Sequence, residues 1–121
     1  MTIDAPARAG EFILSEANGA RSRENITLAA GSGQLAPGTV LGALAADGKH
    51  TPLNPSATDG SESAAAILYD HADATAADVM AAAIVRDAEV KADLLIWPDG
   101  ITDAQKATAI AQLQALGVIV R

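Results

Sequence analysis

Three apolar runs stand out along the chain, Ala64 to Tyr69, Val79 to Val85 and Leu94 to Trp97, and they make residues 58–97 the stretch around which the rest is arranged. Between the first two, Asp70 to Asp78 carries three Asp and one Thr, which suit turns better than regular structure. The flanking Asp and Gly residues favour a buried strand for Ala64 to Tyr69 over the helix that its Ala triplet also permits. From Ala77 to Ile84, Ala and Met favour helix while Val79 and Ile84 favour strand, and the expectation is strand in the second half.

Before this stretch, Pro37-Gly38 has the composition of a type II turn, followed by a strand from Thr39 to Leu44. Asp47-Gly48 then makes a hairpin turn, and Lys49 to Leu53 the return strand, with Pro52 confining it to a sheet edge. After it, Thr102 and Gln105 form a capping box, Asp103 suits the positive end of a helix, and Ile110, Leu113 and Leu116 recur at near-helical spacing. Gly117 supplies the stop, and Val118 to Val120 a final strand. Trp97-Pro98 is an aromatic-proline bond, for which trans is the default expectation.

Residues 1–34 carry few large apolar side chains and four glycines, and read as an extended arm. Two β-compatible patches lie within it, Glu11 to Leu14 and Asn25 to Leu28, joined by Asn18 to Arg23. Residues 35–121 then read as a single compact domain.

Composition narrows the function. The chain has 121 residues, enough for one core, but aromatics are only 2% of it, so Ala, Val, Ile and Leu must do the packing. Such a core buries little area per residue, which argues for additional burial between subunits. The net charge of -7 disfavours both a sequence-independent nucleic-acid binder and an anionic membrane surface. No apolar run approaches a membrane span, and no signal-peptide core is expected at the N-terminus. With no cysteine and two separated histidines, neither a thiolate nor a His-rich metal site is expected.

The candidate chemical groups are weak. His50 reads as a solvent-facing strand residue, and Asp59-Gly60 as a turn before it reads as an acidic site. Asp70-His71 resembles a fragment of a catalytic relay, but no nucleophile elbow or second histidine accompanies it. Asp87 and Glu89 would share a strand face, yet Arg86 and Lys91 beside them keep both carboxylates ionised, which points to an ion-pair rim and not to acid-base catalysis. No catalytic, cofactor-binding or metal-binding residue is expected, and no enzymatic activity.

In combination, several stretches resemble the head decoration protein family of tailed bacteriophages, the type that includes the lambda head-stabilising protein. They are Leu35 with Pro37-Gly38-Thr39-Val40-Leu41-Gly42, Thr58-Asp59-Gly60 with Ala64 to Tyr69, Arg86-Asp87-Ala88-Glu89-Val90, Leu95-Ile96-Trp97-Pro98, the Ala-rich helix, and Gly117 to Arg121. Ser22 to Asn25 also fits the longer-armed members, and the resemblance runs from about Asn25 to Arg121.

It implies a mainly β, clip-like fold with one or two short helices and an extended N-terminal arm. It further implies a structural homotrimer on the outer surface of the virion, at local threefold sites of the expanded head, where the arm contacts the major capsid protein and no nucleic acid or membrane is bound. On this reading Phe12, Ile13, Leu14, Arg21, Arg23, Asn25, Ile26, Thr27 and Leu28 are the capsid-binding arm, and Arg86, Asp87, Glu89 and Lys91 a candidate trimer rim. The alternative is a small oligomeric bacterial β-domain that binds a ligand or protein through Arg86, Asp87 and Glu89.

Overall fold

A computed structural model of the chain describes residues 8–19 and 21–121. The first seven residues of the expected arm, and Ala20 in the expected connection between its two patches, lie outside the described residues. The fold is mainly β with one α-helix, as expected. Its centre is a closed barrel of five strands in the order β2 (Arg23–Leu28), β5 (His50–Pro52), β4 (Val40–Ala43), β6 (Ala64–Leu68) and β8 (Val79–Ile84). A three-stranded sheet, β1 (Ile13–Glu16), β9 (Ala88–Val90) and β10 (Val118–Val120), packs beside it with helix α1 (Asp103–Ala115). The pair β3 (Gly33–Leu35) and β7 (Ala72–Ala74) is antiparallel.

Strand alternation sends the barrel's side chains into two cores. Ile26 and Leu28 from β2, Leu41 from β4, Ala66 and Leu68 from β6 and Ala83 from β8 form one, together with Ala74. Val40, Ile67 and Ile84 from the same strands point the other way. They meet Phe12, Val90, Val118, Ala109 and Leu113 from β9, β10, α1 and the turn ahead of β1. A five-stranded barrel is narrow, so the alanines that looked poor in buried area fit here: Ala66 and Ala83 are fully covered.

The boundary expected at residue 34 has no counterpart in this packing. Phe12 and Leu28 are 0% exposed and Ile26 is 7% exposed. Strand β2 makes six consecutive pairs with β8, from Arg23↔Ile84 to Leu28↔Val79, and closes the barrel on β5 through Leu28↔His50. The expectation of an extended arm through residue 34 is corrected for residues 12–19 and 21–34, because β8 supplies a free edge and the barrel an apolar interior that a lone segment lacks.

Several local readings hold. Pro37-Gly38 is a turn in which Thr39 N–H donates to Ala36 O at 3.3 Å and Gly38 has φ +94°. A Cβ on Gly38 would fall 2.5 Å from Leu94 O, so glycine is required twice over. The β4–β5 hairpin forms around Asp47-Gly48 as expected. The Thr102 side chain caps Gln105 N–H while Gln105 returns to Thr102 N–H, and the helix stops at Gly117. Trp97-Pro98 is trans.

Other readings change. Asp70 to Asp78 contains β7, which exists because β3 pairs with it. Val79–Ile84 is strand from its start. The Leu94 to Trp97 run is no regular strand: Ala92–Leu94 is a short 3-10 turn, and Ile96 makes a single bridge to Thr39. Leu116 is exposed, while Ala109 and Leu113 are the helix residues buried in the core. Strand β5 is covered by β2 at His50 and by β4 along its length, so Pro52 marks the one-sided end of an interior strand.

His50 is half-buried and not solvent-facing, with an Nδ1 that is covered and has no hydrogen-bond partner. Burial lowers its pKa from 6.5, against an opposing pull from Glu24 and Gly48. The folded state then binds fewer protons than the unfolded chain as pH falls below about 6.5. His50 therefore contributes stability that is full above that value and is lost as pH falls through its lowered one. Urea midpoints should fall between pH 7 and pH 5 in the parent and change less in His50→Gln; equal slopes would contradict this. Ile26→Asp places an unpaired carboxylate in the barrel and should cost about 3 kcal/mol or more in urea unfolding, whereas an arm residue would cost nothing.

Candidate functional site

The residues expected to form the arm and the rim are neighbours in space, because β1 pairs antiparallel with β9 and β9 parallel with β10. Within this sheet Glu89 is engaged on both sides. Ser15 Oγ donates to its Oε2 at 2.6 Å and Arg121 Nε donates to its Oε1 at 2.5 Å. These bonds, Ser15 first and Arg121 second, hold its carboxyl below the ordinary range. Arg86 reaches back to β2, donating to Arg21 O and to Glu24 Oε1, each at 2.8 Å. The side chains of Asp87 and Lys91 lie on exposed positions.

Ser22 ties this region together and was not singled out from the sequence. It is fully buried, its hydroxyl accepts Ala17 N–H at 3.1 Å, and it donates to Asp87 O at 2.7 Å. A small polar residue between two arginines gives no sign of this role, since its partner lies 65 positions away. Asp87 itself has φ +53°, the left-handed region that non-glycine residues seldom occupy. The β8–β9 connection thus turns sharply, which aligns β9 between β1 and β10.

The nominated arm residues separate into two groups. Phe12, Ile26 and Leu28 are core, and Ile13 packs against the same core as Phe12. Leu14 is 54% exposed, Asn25 and Arg21 are exposed, and Thr27 is partly covered. Arg23 is singular. Its guanidinium bonds Glu16 through Nη2 at 2.5 Å and Nε at 3.2 Å and lies over the Tyr69 ring, 4.0 Å from the centroid. The Glu16 hydrogen bond, foremost, raises its pKa above the ordinary value.

The candidate chemical groups settle into structural roles. Asp59 Oδ1 accepts both Ser61 N–H and Ser61 Oγ–H, at 3.0 and 2.6 Å, and these bonds lower its pKa. The Asp70 carboxylate accepts the His71 backbone N–H at 2.7 Å. A cleft of about 330 Å³ between α1 and the loop before β6 is lined by Leu53, Pro55, Glu62, Thr108 and Ala109, and holds no paired acid and base. Among the described residues no group of three His, Cys, Asp or Glu is placed to hold a metal, and no helix is long and apolar enough to cross a membrane.

In the three-stranded sheet, β1 and β10 are each paired on one side only, with β9 between them. The chain belongs to the family of the bacteriophage lambda head decoration protein D, whose model matches residues 2–118. The match begins well ahead of Asn25, where the resemblance read from the sequence starts, and takes in the N-terminal segment. No curated protein matches the chain. Family membership makes it a structural component of a phage virion, a protein that binds the capsid.

The strained Asp87 gives a direct check on the turn that orders this surface. Asp87→Gly should leave the thermal midpoint unchanged or raised, and Asp87→Val should lower stability by about 1 to 3 kcal/mol. Calorimetry on the pair measures this, and equal midpoints would remove the argument from strain.

Proposed function

We propose that the protein is a trimeric cement on the outer surface of the phage head, seated at local threefold positions of the expanded shell and stiffening it against the pressure of packaged DNA. The observation that carries this reading is the family match over residues 2–118. In the trimer, residues 86–91 form a subunit rim, with Asp87 and Lys91 reaching the neighbouring copy. The chain ahead of Gly10 joins the major capsid protein by adding backbone to a free strand edge.

This contact lies further toward the N-terminus than the sequence alone indicates, since Phe12, Ile26 and Leu28 are committed to the cores. Ordering about ten residues costs on the order of 10 to 20 kcal/mol of backbone entropy. Ladder hydrogen bonds return a net of about 1 kcal/mol each, so one segment alone binds poorly. Three segments on one trimer act as a multivalent unit and gain about 10²-fold or more.

Removing residues 1–7 should leave the thermal midpoint unchanged and the protein trimeric, at three times the mass of the shortened chain, while abolishing co-sedimentation with expanded capsids of the phage that encodes it. A truncated protein that still saturates those capsids would overturn the assignment of the segment. A full-length protein that fails to bind them would overturn the function itself.

A further inference from the structure

We propose that Tyr69, Arg23 and Glu16 form a clasp that holds Gly10 and so fixes where, and in which direction, the N-terminal segment leaves the body. They are positioning residues for the capsid contact, and this rests on the proposed function.

The clasp is built from three elements. Tyr69 follows β6, where its N–H donates to Ala82 O at 3.0 Å. Its carbonyl accepts Gly10 N–H at 2.8 Å, and its ring lies against the same glycine, so that a Cβ there would fall 2.8 Å from Tyr69 Cε1. Gly10 has φ +68°, a conformation that glycine adopts without strain. Arg23 from β2 covers the ring, and Glu16 from β1 fixes the guanidinium through two hydrogen bonds. The cation over the ring and its bidentate partner are mutually reinforcing, since the carboxylate fixes where the guanidinium sits.

On either side of Gly10 the chain is also constrained. Glu11 N–H donates to Arg8 O at 3.1 Å and Ile13 N–H to Gly10 O at 3.0 Å, a run of turns that ends with Phe12 fully buried. This is more fixation than anchoring the body demands, because Phe12 and the β1–β9 pairing already secure the strand. What the added contacts fix is the point at which the chain joins the body, at Arg8 to Gly10. A segment released from a fixed point in a fixed direction loses less freedom on binding than one released from a loose loop.

Arg8 supplies a readout on the isolated protein. Trypsin cleavage after Arg8 requires the Arg8–Glu11 turn to open, and its rate follows the open population when closing is fast. In Tyr69→Leu and in Arg23→Gln, cleavage after Arg8 should rise about tenfold. Cleavage after Lys106, in α1 and away from the clasp, should stay at the parental rate. Tyr69→Phe, which keeps the ring, should restore parental behaviour. The two clasp variants should also need several-fold more protein to saturate expanded capsids, and Arg23→Gln should do so at a near-parental thermal midpoint, since Tyr69 itself packs on the outer core.

Unchanged cleavage after Arg8, or an increase no larger than that after Lys106, would overturn the clasp. Faster cleavage with unaltered capsid binding would overturn its positioning role. The first result does not depend on the function being right: if full-length protein ignores capsids, the positioning role falls with the function, while the Arg8 readout still reports on the clasp.

Discussion

Closure of the barrel by β2 is the constraint on which the rest of the structure depends. Strand β8 offers six pairing positions to β2, and β5 offers a single one at His50. Without β2 the edges of β8 and β5 would be open, and Leu41, Ala66, Leu68 and Ala83 would lose the cover of Ile26 and Leu28. The narrow interior explains part of the composition: alanine lets backbone strands approach closely around a small circumference, and Ala66 and Ala83 leave the room that Ile26, Leu28, Leu41 and Leu68 fill.

That arrangement makes the N-terminal region two things at once. From Phe12 onward it is framework, with Phe12 itself filling the outer core and β1 supplying a partner for β9. The ion pairs along it follow the same division. Arg23–Glu16 and Arg86–Glu24 join segments that are already close, and their partly exposed side chains make each a modest contributor to stability by itself. Their value is directional: they fix how β1, β2 and the β8–β9 turn stand to one another, with Ser22 as the buried tie.

How much of this was legible in the sequence follows from how far apart the interacting residues lie. The capping box at Thr102 and Gln105, the turn at Pro37-Gly38 and the hairpin at Asp47-Gly48 involve residues within a few positions of each other, and each was readable. The pairing of β3 with β7, the burial of His50 and the role of Ser22 each need a partner supplied by the tertiary fold. Periodicity failed for the same reason at β2. Its sequence, with Asn, Thr and Glu beside Ile26 and Leu28, reads as a half-polar patch, and whether it pairs with its own body or with another protein depends on which free edge is available. The family resemblance was readable because it rests on the order of many short stretches, though it was placed too late in the chain by a reading that set the N-terminal region apart.

Burial of β2 in the body also strengthens the case for a short contact segment. If residues through Leu28 had to leave the body to reach a capsid, binding would first have to break the β2–β8 ladder and expose Ile26 and Leu28, an opening comparable to unfolding the barrel. A segment that begins ahead of Gly10 incurs none of that cost. It starts from a point already held by Tyr69 and by the turn at Arg8 and Glu11. In the proposed trimer, weak individual segments multiplied by symmetry would let the body keep its full stability on the shell. The proposed cement role needs that property, because a barrel that anchored the contact would have to stay closed under load.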